Sequence, residues 1–271
     1  MNVERRARPG IPVPVVVLGS LGAVFFVVPF VGLIARAPVR SIPDLFADDG
    51  VRAALVLSLV TSVITTGFAI LLGVPIAWLL ARSALPGRRL VRAVCTVSMV
   101  LPPVVAGVAL FLALGRRGVI GGPLDDAFGV SLPFTTAAVV IAQLFVAMPF
   151  LVLTVDAALR ALDPAAEEAA RTLGGSEWYV FLRVTVPSIR PALVSGIVLT
   201  WARALGEFGA TITFAGSLPG ATRTMPLATY LALENDTDQA ILLSLVLVAV
   251  SFAVLFGLRE RWVGAAFGAR P

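Results

Sequence analysis

The chain has 271 residues, 58% of them hydrophobic and only 14% charged, with a mean hydropathy of +0.97 and a net charge of +5. That composition excludes an ordinary soluble domain and marks an integral membrane protein, so the pI near 10.8 requires no nucleic acid as partner. Every basic residue is Arg, there is no His, and Cys95 is the single cysteine, which leaves most Schiff-base, zinc and thiol chemistry without its usual residues.

A membrane span needs about 20 mainly apolar residues to cross about 30 Å of hydrocarbon. Six stretches satisfy this, residues 13–35, 54–80, 93–114, 135–155, 191–214 and 240–258, and all six are predicted as helices of an all-α polytopic membrane protein. The first follows Arg5, Arg6 and Arg8 in the manner of a signal peptide. Its apolar run exceeds the roughly 7–15 residues of a signal core, and Pro38 would directly follow the cut, so it reads as a retained span. With its loop, rich in Pro38, Pro43, Asp44, Asp48 and Asp49, it forms an appendage over residues 1–50. Residues 51–258 then form one five-helix transmembrane unit, and 259–271 a C-terminal tail.

Proline falls inside the second, third and fourth spans, at Pro75, at Pro102 and Pro103, and at Pro149. Each frees a backbone carbonyl, tolerated where neighbouring helices or a wet cavity satisfy it, and each is read equally as a packing kink or a gating hinge. Cys95 lies in the third span and reads as a small buried hydrophobe. If the N-terminus is inside, fourteen Arg fall on inner segments, six on outer loops (Arg36, Arg40, Arg52, Arg116, Arg117 and Arg223), and Arg203 lies within a span. This excess of basic residues places both termini in the cytoplasm.

Between the fourth and fifth spans, residues 156–190 form an inner loop with a compact polar pattern. Asp163 before Pro164 is a helix start, because the carboxylate caps free N–H groups and Pro suits the first helical position. Glu167 and Glu168 sit at the positive helix end, Ala169 and Ala170 make a small-residue face, and Gly174 with Gly175 closes the helix in the left-handed conformation. Ser176 opens a second helix over residues 177–183, carrying Trp178, Tyr179 and Phe181, and Pro187 ends the segment. Read blandly, this is an interfacial loop anchored in lipid by Trp178 and Tyr179.

The spacing points elsewhere. Glu168-Ala169-Ala170, three residues, Gly174, nine residues, then Val184, Val186 and Pro187 resembles the motif of the transmembrane subunits of bacterial ABC importers, with Val184 and Val186 in place of its usual Ile and Leu. The resemblance implies a type I importer permease fold in the bacterial plasma membrane, with a cytoplasmic coupling helix docked on a separate ATPase dimer. On this basis Glu168, Ala169, Ala170 and Gly174 are the coupling residues, with Glu167 and Arg171 as rim contacts. A phosphate-binding loop ending in Gly-Lys-Ser/Thr needs its Lys, and this chain has none. ATP is therefore expected to be used by the partner, with no cofactor or metal bound by this chain and no enzyme activity of its own.

Residues 201–227, from Trp201-Ala202-Arg203-Ala204-Leu205-Gly206-Glu207-Phe208-Gly209 through Thr211 and Thr213 to Arg223 and Leu227, resemble the permeases of molybdate importers and more distantly those for sulfate and thiosulfate; tungstate is a further alternative cargo. Val100-Leu101-Pro102-Pro103 and Gly115-Arg116-Arg117-Gly118 share that resemblance. It implies a homodimer around one pathway and an extracytoplasmic molybdate-binding protein. Pathway or gate candidates are Pro102, Pro103, Arg203, Gly206, Glu207, Gly209, Thr211 and Thr213. Arg203 and Glu207, one turn apart, either pair or contact the anion. On the outer face Arg116, Arg117 and Arg223 either steer the anion and its binding protein or touch headgroups, and eight acidic residues there argue against a uniformly positive funnel. A carrier driven by an ion gradient is the rival from another class; Glu207 would be its one coupling carboxylate, and the missing inverted repeat speaks against it.

Overall fold

In the computed structural model, residues 12–84 and 86–267 are described, with side chains as far as Gly257. Arg5, Arg6, Arg8 and Arg270 lie outside the described residues, as do the side chains of Arg259 and Arg261. Every regular element among the described residues is helical: α1 (Val13–Ala35), α2 (Ile42–Ala47), α3 (Asp49–Arg82), α4 (Arg88–Val100), α5 (Pro103–Leu114), α6 (Gly121–Phe128), α7 (Thr136–Ala161), α8 (Ala165–Thr172), α9 (Glu177–Ser188), α10 (Arg190–Leu205), α11 (Gly209–Phe214), α12 (Met225–Asn235) and α13 (Thr237–Phe267).

Four helices, α1, α3, α7 and α13, are long and apolar enough to cross a membrane unbroken, and α9 with α10 forms a pair bent by 76°. All six apolar stretches are helical, but two are divided. The third breaks at Leu101, whose extended backbone (φ −60°, ψ 132°) is the conformation that a following Pro imposes, and α5 restarts at Pro103. The fifth stops at Leu205 and restarts at Gly209. Pro75 and Pro149 instead lie inside continuous helices.

α3 and α7 pack along each other at the centre of the bundle. Apolar clusters surround them: α3, α7 and α10 share Ala69, Ala77, Leu151, Val155 and Leu193, with Ile189 from the bend before α10, while α5, α7 and α11 share Ala106, Leu110, Ala142 and Phe214. Between α3 and α7 runs a fully buried polar contact in which the Gln143 amide donates to Thr61 Oγ1 (3.2 Å) and Thr65 Oγ1 donates to Gln143 Oε1 (2.9 Å). Such a pair satisfies both ends of the amide and fixes the register of the two helices.

The loop after α1 packs against the bundle. Leu45 of α2 is buried with Val51, Met225 and Leu243, and Asp48 caps α3 by accepting from Gly50 N (2.7 Å) and Val51 N (3.1 Å). α1 itself is almost wholly exposed and meets α13 through Phe30 and Phe252, ring centroids 6.1 Å apart. α13 continues to Phe267, through most of the stretch expected to be a C-terminal tail.

Candidate functional site

α8 and α9 form a knuckle at the end of the bundle where α3 and α7 finish. Asp163 Oδ1 accepts from Ala165 N (3.0 Å), the cap expected of it. At the other end Gly174 takes φ +87°, its N–H donating to Arg171 O (2.9 Å) while Gly175 N–H donates to Ala170 O (3.0 Å). This pair of bonds closes α8, and it depends on a residue without a Cβ at 174. Ser176 Oγ then accepts from Tyr179 N (3.2 Å) and opens α9.

α9 runs past its expected end at Arg183 to Ser188. A wide turn absorbs Pro187: Val186 N–H donates to Phe181 O, five residues back, so the helix continues until the sharp bend at Ile189. Trp178 stacks on Phe181 (5.6 Å), whose edge meets Trp78 of α3 (6.4 Å).

The predicted coupling residues separate into two faces. Glu168, Ala169, Arg171 and Gly174 are exposed, Ala170 is half-buried, and Leu173, not singled out from sequence, projects at 88% exposure. Arg171 grips Glu177 with two contacts (2.7 and 3.1 Å), which holds the Glu177 carboxyl below its ordinary range and ties the two helices across the glycine turn. Glu167, expected on the rim of the contact, is instead 3% exposed. Its Oε1 accepts from Thr185 Oγ1 (2.7 Å) and its Oε2 faces Arg82 Nη2 (3.4 Å), so it joins α8 to α9 and to the end of α3.

Asp156 was expected to open the loop. α7 continues to Ala161 instead, and Asp156 is buried within it. Arg92 of α4 grips the carboxylate twice (both 3.1 Å), Arg160 adds a third contact (2.9 Å), and both guanidiniums donate onward to Leu80 O at the end of α3. A buried carboxylate with charge partners this close lets the helix continue where an unpaired one would end it. Asp156→Ala leaves two partly exposed guanidiniums unpaired, and we expect a stability loss of about 2 kcal/mol, read as a lower unfolding midpoint in detergent.

The two interrupted helices meet. α11 crosses α5 so closely that a Cβ on Gly209 would stand 2.8 Å from Pro103 Cβ, and one on Gly107 would stand 2.8 Å from Ala210 O. Among the pathway candidates, Pro103, Gly209 and Thr213 are thus brought together, Thr211 is fully buried beside them, and Pro102 and Gly206 are exposed at the breaks. Arg203 Nη1 lies 2.6 Å from Glu207 Oε2, and Glu207 Oε1 accepts from Ala210 N (2.8 Å).

At the opposite end, Arg116 pairs with Asp125 (2.8 Å), Arg223 donates to Ser217, and Arg117 is exposed. Asp44, Asp48, Asp236 and Asp238 line a cavity of about 280 Å³ at this end, so it carries both signs of charge.

Residues 69–266 match the family of binding-protein-dependent transport system inner membrane components. The chain belongs to that family. The chain is 45% identical over 240 residues to the molybdenum transport system permease protein ModB of Mycobacterium tuberculosis, covering 89% of this chain and 90% of that protein. Its likeness to the ModB of Escherichia coli is 39% over 210 residues, 78% of this chain and 92% of the other. A solved bacterial alginate ABC transporter shares its fold, with a TM-score of 0.72 at 17% identity over 89% of this chain and 90% of that one. A transport component of the inner membrane, with several apolar helices, is what these relatives establish. In this transport component the knuckle of α8 and α9 and the crossing of α5 and α11 both fall inside the matched region. Sequence reading missed Glu167's burial, the Asp156 cluster and the Gln143 contact, because each depends on a partner 18 to 82 residues away.

Proposed function

We propose that this chain is the permease subunit of an ATP-driven importer for molybdate, moved by a separate ATPase that docks on α8. What carries the reading is the arrangement of α8 itself: Glu168, Ala169 and Leu173 face outward while buried Glu167 fixes the helix from behind. A small-residue face allows close approach of a partner, and an anchored back converts a push on that face into movement of α3 and α9. The relatives named for molybdenum transport support the cargo. The absence of Lys supports a partner that carries the nucleotide site. The basic residues Arg82, Arg92, Arg160 and Arg171 at the knuckle end support a cytoplasmic knuckle and cytoplasmic termini. A second copy completes the pathway, and an extracytoplasmic binding protein delivers the anion at the mixed-charge end.

Reconstitution with the ATPase and the binding protein tests this. ATP-dependent molybdate uptake is expected, competed by tungstate and weakly by sulfate; uptake that persists with a hydrolysis-dead ATPase would defeat the proposal. Ala169→Trp supplies the second arm. Because Ala169 is exposed, its replacement should alter stability by no more than about 0.5 kcal/mol, yet uptake should fall at least about tenfold.

A further inference from the structure

Arg203 and Glu207 are the charged residues of the six apolar segments. Arg203 lies on the outward stripe of α10, in line with exposed Ser195 and Leu199 and above exposed Gly206, and its side chain is 27% exposed. It stands about 20 Å along α10 from Arg190. A guanidinium at such a depth is costly against hydrocarbon, so this stripe must face protein or water once the importer is assembled.

The two partners of the pair are held very differently. Glu207 is 1% exposed and is fixed by the backbone, since Oε1 accepts from Ala210 N (2.8 Å) at the start of α11. Its other oxygen meets Arg203 Nη1 at 2.6 Å. Close as it is, that contact is not a hydrogen bond, and Arg203 donates to no other acceptor among the described residues, so its N–H donors are left without protein partners. A paired guanidinium with spare donors suits a tetrahedral oxyanion, and the adjacent carboxylate keeps the local charge near zero.

We propose that Arg203 is the cationic contact for the oxyanion inside the pathway and that Glu207 is its positioning residue, holding the guanidinium in place and cancelling its charge so that the anion passes without being trapped. This rests on the reading of the chain as an oxyanion permease. An ion pair that served packing alone would be replaceable by a neutral pair, because a buried pair gains little over well-packed neutral groups. A pair that served the anion would not.

The experiment compares variants of the full complex in proteoliposomes. Glu207→Gln keeps an oxygen for Ala210 N–H but leaves Arg203 uncancelled; we expect uptake to fall at least about tenfold and tungstate binding to become measurable on the solubilised complex without its binding protein. Arg203→Lys preserves the charge and should retain at least about a tenth of wild-type uptake. The double variant Arg203→Gln with Glu207→Gln should assemble and hydrolyse ATP but transport less than about a hundredth. If the single change at Glu207 prevents assembly, the two variants that preserve electroneutrality carry the comparison. Wild-type-like uptake by the double variant overturns the proposal. Failure of the wild-type complex itself to take up molybdate defeats the functional reading instead.

Discussion

Glu167→Leu is expected to silence transport while leaving every exposed residue of α8 unchanged. The leucine fits the volume but deserts Thr185 Oγ1 and Arg82, both of which turn inward toward the carboxylate. Breaking a buried ion pair from one side costs about 3–5 kcal/mol. Here Arg82 keeps 22% of its side chain in contact with solvent and stands 3.4 Å away, so about 2–3 kcal/mol is the better expectation. Each 1.4 kcal/mol is worth tenfold in an equilibrium. A helix of eight residues, with about two turns, has no stability of its own to absorb that loss. Uptake should therefore drop by at least about tenfold, and a crosslink from Ala169→Cys to the ATPase, made in a Cys95→Ala background, should weaken in parallel. Glu167→Gln preserves an acceptor for Thr185 and should fall between, while Thr185→Val removes one neutral hydrogen bond and should cost about 1 kcal/mol. Full uptake by Glu167→Leu would mean that α8 is held by other contacts and that pushing on it does not travel through this carboxylate.

The contrast between Glu167 and its neighbour explains what the chain discloses before folding. Apolar length alone identifies α1, α3, α7 and α13, because twenty residues without charge have few alternatives to a helix. The cap at Asp163 and the turn at Gly174 are also legible, since both act within three or four residues of themselves. Glu167 and Glu168 are indistinguishable at that range. Which of them turns inward depends on Thr185 and Arg82, placed by α9 and α3, and Asp156 likewise depends on Arg92, 64 residues away. The same limit explains the divided spans. Leu101-Pro102-Pro103 announces an interruption, whereas the break at Gly206–Phe208 is stabilised by Glu207 capping Ala210 and by Gly209 seating on Pro103, neither of which hydropathy registers.

That seating carries the other large expected effect. Gly107→Val should abolish assembly of the permease, and Gly107→Ala should already lower both its unfolding midpoint and its uptake. A Cβ at 107 would overlap Thr213 Oγ1 and would come within 2.8 Å of Ala210 O and 2.9 Å of Ala210 Cα. The hydroxyl can rotate away; the backbone of α11 cannot, because Glu207 pins Ala210 N on one side and Phe214 is fully buried on the other. Overpacking a tight core costs about 1–3 kcal/mol even where neighbours yield. Where the obstacle is backbone, α5 and α11 must separate as rigid pieces, and Gly209 would leave its contact with Pro103 at the same time. Thr213→Ala combined with Gly107→Ala supplies the test of this geometry. It removes the side-chain overlap but not the approach to Ala210, so it should restore part of the lost stability and not all of it. Complete recovery would place the conflict in the hydroxyl alone, and no recovery would place it in the backbone alone. Undisturbed uptake by Gly107→Val would show that α5 and α11 do not cross as closely as their glycines require.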